Sequence, residues 1–129
     1  MKITGLAPGT YEVVMDGQVI GKWNHITLAT KIEIQENEAS SQFRQALAVS
    51  ELNRERNDKA VRPLRNTWGQ VKGLRKKHAA DPAAFEAAYA ELKPKIAELR
   101  KLADEYEAKL YAAAQPQPFK VEIRPAPVP

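Results

Sequence analysis

The sequence predicts an α+β chain: a small amino-terminal antiparallel β-meander, a long coiled-coil-like antiparallel helical hairpin, and a carboxyl-terminal edge strand in a proline-rich tail. Three observations carry that prediction. Apolar and polar residues alternate from Tyr11 around the tight-turn pair Asp16-Gly17. A heptad pattern runs without a break from Phe85 to Ala113, and a second short alternation, Phe119-Lys-Val-Glu-Ile123, stands among prolines. The segments that follow are residues 1–36 for the meander, 37–114 for the hairpin with its turn near 79–81, and 115–129 for the tail, with a short strand over 119–123.

In the first segment Ala7-Pro8-Gly9-Thr10 places Pro and Gly at the central positions of a type II turn, where Pro presets φ and Gly supplies a positive φ. Tyr11, Val13 and Met15 then alternate with Glu12, Val14 and Asp16, and Asp16-Gly17 is the pair that a type I′ hairpin favours. Val19, Gly21 and Trp23 predict one face of a returning strand, and Lys31-Ile-Glu-Ile34 predicts another strand. Three or four short strands bury little, so this sheet needs a cover, and the tail strand is expected to return to it or to its neighbour.

Two helices are predicted next. Ser40 is a fitting N-cap for the first; Asp81-Pro82 opens the second, with Asp capping and Pro at the first helical position. Phe85, Tyr89, Leu92, Ile96, Leu99, Ala103, Tyr106, Leu110 and Ala113 step by four and three, a seam of four heptads. The first helix carries the same spacing at Val61, Leu64, Trp68 and Val71, and continuing it backward brings Asn57 and Arg54 onto the seam. A short turn makes the helices antiparallel neighbours, which sets Trp68 near Leu92, Leu64 near Ile96, and Asn57 near Ala103 and Tyr106. Pro63 and Pro94 each remove a backbone hydrogen bond and predict a kink or interruption. Gly69 and Gly73, one turn apart, either admit a bulky partner such as Phe85 or Tyr89 or simply soften the helix. Phe43, Leu47 and Val49 spread over more than one side of the first helix, so its base needs a cover besides its partner helix.

Composition narrows the chemistry. Hydrophobic residues at 43% and charged residues at 28% argue for a folded chain, and 129 residues suit one ordinary domain or the end of a larger protein. With no cysteine there is no disulfide, thiolate metal site or thiol nucleophile, and the compartment stays open. No apolar run reaches membrane length and no charged-then-apolar leader occurs, so neither a membrane span nor a signal peptide is expected in these residues; an exported parent, periplasmic or extracellular, would carry its signal upstream. Residues 36–80 hold ten Lys/Arg against five Asp/Glu, and residues 81–114 hold five against seven. Folding the basic segment onto the acidic one is expected to weaken any attraction for polyanions. Arg75-Lys76-Lys77 alone is a weak nucleic-acid signal.

No catalytic, cofactor-binding or metal-ligating set is predicted. Ser40, Ser41 and Ser50 lack a Gly-x-Ser-x-Gly elbow, and His25 and His78 lie in different elements without ligand-spaced companions. The residues singled out instead are those of a packing or interaction seam: Val61, Leu64, Trp68, Val71, Phe85, Tyr89, Leu92, Ile96, Leu99 and Tyr106.

The stretch KITGLAPGTYEVVMDGQVIGKW, followed by FRQALAVSELNRERND and RPLRNTWGQVKGLR, resembles the region after the catalytic core in certain bacterial SGNH/GDSL-type hydrolases, especially planctomycete-like lipase/acylhydrolase proteins. The resemblance spans most of residues 2–75. In that family the serine lies in a Gly-Asp-Ser block near the start of the core and the histidine in an Asp-x-x-His near its end; this chain has neither, so no catalytic residue carries over. The resemblance implies a non-catalytic carboxyl-terminal module or fragment of an ester hydrolase, with an upstream hydrolase domain or another protein as its partner and oligomerisation open. The alternative is a stand-alone interaction protein that binds through its helical hairpin, with nucleic-acid binding by the basic helix ranked below both.

Overall fold

In the computed structural model, which describes residues 1–127, Asp16 and Gly17 take φ values of 50° and 83°. These are the positive angles a type I′ turn demands. They fold β1 (Thr10–Met15) back onto β2 (Gln18–Asn24). β3 (Val121–Pro125) pairs antiparallel with the other side of β1, giving the strand order β2-β1-β3. The tail thus supplies an edge strand, beginning two residues later than the alternation placed it. Asp16 ties the ends together: its N–H donates to the Lys120 carbonyl at 2.9 Å, and its carboxylate accepts from the Lys120 N–H at 2.8 Å.

The ladder between β1 and β2 slips between Val13 and Val14, where Val13 faces Gly21 and Val14 faces Val19. The residue left over is Ile20. A one-residue bulge changes which side chains share a face, so Ile20 joins the core and Val19, expected to share a face with Gly21 and Trp23, is exposed. The core gathers Val13, Met15, Ile20, Leu28 and Ile32, with Met1, Ile3, Leu6, Tyr11, Trp23 and Ile123 packed around them.

Two further expectations change here. Residues 31–34 form no strand. The chain leaves β2 into α1 (His25–Thr30), capped by the Asn24 side chain, which accepts from the Thr27 N–H at 2.8 Å. Past it, Ile32 and Met1 exchange two backbone hydrogen bonds, of 2.8 and 2.6 Å. Ile32 is buried and Ile34 half-buried while Lys31 and Glu33 face solvent as an ion pair. The alternation is therefore one of burial, without a sheet ladder. The type II turn is absent as well: the positive φ before β1 belongs to Gly5, at 83°, and Gly9 has none. Gly9 is instead held to His25, whose Nδ1 accepts from the Gly9 N–H at 3.2 Å while the His25 N–H donates to the Gly9 carbonyl at 3.0 Å.

The chain divides into two units, one of Met1–Ala48 with the stretch from Gln115 onward, the other Val49–Ala114. The second holds the hairpin: the latter half of α2 (Ser41–Arg56), a π-helical turn (Asn57–Val61), α3 (Arg62–Lys77) and α4 (Pro82–Ala113). Both predicted caps form. Ser40 Oγ accepts from the Phe43 N–H at 3.1 Å and Asp81 from the Ala84 N–H at 3.0 Å, with Pro82 opening α4. Pro63 falls in the first turn of α3, directly after the π turn, so that proline does mark an interruption. At Pro94 the helix is not interrupted: α4, 32 residues long, runs through it. Pro94 and Ala90, whose carbonyl loses its partner, are both exposed, so water can satisfy the freed group.

Candidate interaction site on the helical hairpin

The buried line of the hairpin consists of Ala60, Thr67 and Val71 on one side and Ile96, Ala103 and Tyr106 on the other. Val61, Leu64, Phe85, Tyr89, Leu92 and Leu99 flank it half-buried. Trp68 lies outside that line, 36% exposed, and its neighbour Thr67 occupies the buried position. A threonine is tolerated there because its hydroxyl donates to the Pro63 carbonyl one turn back, at 2.9 Å.

The π turn explains the other departure. It accommodates one residue more than an α-turn, so the face that meets α4 shifts by one position upstream of it. Arg56 and Glu55 occupy the place that the heptad spacing assigned to Asn57. Arg56 donates to the Ala103 carbonyl at 3.4 Å and to Glu107 at 3.2 Å, and Glu55 accepts from the Tyr106 hydroxyl at 2.9 Å. Lys59, 2.7 Å from the same carboxylate, and then the Tyr106 hydroxyl hold the Glu55 carboxyl below its ordinary pKa. Asn57 and Arg54 are exposed, and Arg54 pairs with Glu51 at 2.7 Å.

On the flank of this seam the aromatic residues and cations interleave. Phe85 stacks on Tyr89 with ring centroids 5.8 Å apart, and Tyr89 lies 6.3 Å from Trp68 at a tilt of 43°. Each ring has a cation over it: Arg75 at 5.6 Å from Phe85, Lys93 at 4.8 Å from Tyr89, and Arg100 at 5.5 Å from Trp68. Trp68, Tyr89 and Ile96 give apolar lining to a groove of about 490 Å³, to which Lys93, Arg100 and Lys101 bring positive charge and Asp104 the opposing carboxylate. Gly69 and Gly73 admit no bulky partner, since a Cβ on either would meet nothing within 4 Å.

Charge pairing across the hairpin is uneven. Among the described residues the ion pair across the hairpin is Arg56 with Glu107, while Glu105 pairs along α4 with Lys101 at 3.9 Å. α3 contains no Asp or Glu, and among the described residues Arg65, Lys72, Arg75, Lys76 and Lys77 have no carboxylate partner. The neutralisation expected from folding the basic segment onto the acidic one therefore does not reach α3. The acid-rich stretch of α4 lies level with the end of α2.

The serines and histidines take structural places. Ser40 is a buried cap, Ser41 lies beside Gln42 and Ser50 faces solvent. His25 holds Gly9, and His78 follows the last turn of α3, where its N–H donates to the Leu74 carbonyl at 2.9 Å. Among the described residues no group of three His, Asp or Glu side chains is placed to hold a metal ion, and no helix is long and apolar enough to cross a membrane.

No family model matches this sequence, and no curated protein does. A solved structure described as a gut microbial diltiazem-metabolizing enzyme is similar in fold, with a TM-score of 0.68 over 98% of this chain and 22% identity. The chain spans 33% of the length of that enzyme. At this identity the likeness is one of fold.

Proposed function

We propose that this chain is a non-catalytic structural and interaction module of a larger SGNH/GDSL-type ester hydrolase, whose catalytic core is supplied by another part of the parent. The observation that carries the reading is that the whole fold recurs as one third of a larger protein named as an enzyme. It is joined by the sequence resemblance of residues 2–75 to the region that follows the catalytic core in that hydrolase family. A second reading, a stand-alone interaction protein, is favoured by one feature, the exposed Trp68 beside cations without carboxylate partners.

The test of the chemistry uses the purified chain with acetyl and short-chain acyl esters. The expected result is hydrolysis no faster than buffer. Turnover that disappears when Ser40, Ser41 or Ser50 is replaced by Ala would overturn the reading. The two readings part on the reading frame: continuation upstream through a Gly-Asp-Ser block to an Asp-x-x-His belongs to the module, and an isolated start belongs to the stand-alone protein.

A further inference from the structure

The hairpin face around Trp68 has a composition that seam packing does not require. Arg65, Trp68, Lys72 and Arg75 recur on α3 at steps of three, four and three, which places them on one stripe. The three cations of that stripe have no carboxylate partner among the described residues, and neither has Arg100, which lies 5.5 Å over the Trp68 ring. On α4 the groove adds Lys93 and Lys101, whose contacts with Glu86 and Glu105 are long, at 3.8 and 3.9 Å. A cation held over a ring keeps its N–H donors available to an incoming carboxylate, and the ring limits the freedom that binding would otherwise remove.

From this juxtaposition we infer that the groove is a docking site for an acidic segment of a partner protein. The inference rests on the reading of the chain as an interaction module and names the chemistry of what it binds. Carboxylates of the segment meet Lys93, Arg100 and the α3 stripe, while its aliphatic parts cover Trp68. Single-stranded nucleic acid fits less well, because it needs open ring faces on which bases can stack. Here Phe85 and Tyr89 stack on each other and all three rings carry a cation.

The test is calorimetric titration of the full chain with oligo-glutamate and, separately, with oligodeoxythymidylate of equal charge, at low and near-physiological salt. Saturable oligo-glutamate binding is expected, tighter than that of the oligonucleotide at the higher salt. The double variant Lys93→Gln/Arg100→Gln should weaken it by about tenfold, the loss of two exposed charge contacts. Lys2→Gln/Lys31→Gln, which makes the same change in net charge on the other unit, should leave it within about twofold, as expected when the groove's own cations and not the net charge hold the segment. No oligo-glutamate binding at low salt, an equal loss in both double variants, or tighter binding of the oligonucleotide would each overturn the inference. None of these results bears on whether the parent is an ester hydrolase, which is read from its serine chemistry, so failure here and failure there are distinguishable.

Discussion

Gly21 has the indole of Trp23 across it: a Cβ at position 21 would stand 2.2 Å from the tip of that ring. Gly21→Ala must therefore push Trp23 off the sheet and disturb the core it covers. Overpacking of this kind costs about 1–3 kcal/mol, to be read as a lowered melting temperature together with a changed near-ultraviolet circular dichroism of Trp23. Ile96 is buried in the hairpin seam and Lys72 is exposed. Ile96→Ala is expected to destabilise by about 2–5 kcal/mol, the usual range for emptying a packed aliphatic position, and Lys72→Ala by no more than about 0.5 kcal/mol. Denaturant titration of the two variants checks the contrast, and equal small shifts would mean that α3 and α4 do not pack as described.

The sheet is closed by charge as well as by its ladder. Glu12 on β1 is a register partner of both Lys22 on β2 and Arg124 on β3, and its carboxylate meets them at 3.0 and 2.9 Å. The hydrogen bond from Lys22, and then that from Arg124, hold the Glu12 carboxyl below its ordinary value of 4.5. Asp16 is shifted the same way by the Lys120 N–H, and Glu122 by the Lys120 ammonium. A carboxyl with a lowered folded-state pKa binds fewer protons folded than unfolded, so its stabilisation is complete above the unfolded value and is lost as pH falls through the folded one. The melting temperature should accordingly fall on acidification below about pH 4.5. In Glu12→Gln it should start lower at neutral pH and fall less steeply.

The elements that chain-local chemistry specifies were legible in the sequence: the Asp16-Gly17 turn, the Ser40 and Asp81 caps, and the heptads of α4. Those that depend on a one-residue slip were not. The bulge at Ile20 and the π turn at Asn57–Val61 each displace a face by one position, and nothing in a period of two or of three and four announces an inserted residue. Residues 31–34 show the complementary failure, since alternating burial beside an extended chain looks the same in sequence whether or not a ladder forms.

For the whole molecule, the candidate site was half legible. Trp68, Tyr89 and Ile96 were singled out as seam residues, and they line the groove together. Its cations were not, because segment totals of charge hide which helix turns lie opposite one another. Arg100 shares α4 with Tyr89, but it meets Trp68 of α3 only through the antiparallel register of the two helices. The fold likeness extends over 98% of the chain yet one third of its neighbour, which makes the proposed hydrolase module a question about the length of the native polypeptide. Capturing the native protein from its source cells with an antibody to the hairpin, after exposure to a fluorophosphonate that labels activated serines, answers that question. A labelled polypeptide roughly three times the 14.4 kDa of this chain is expected, with the modified serine mapping outside these 129 residues. A captured polypeptide of 14.4 kDa, or a label on one of its own serines, would contradict the proposal.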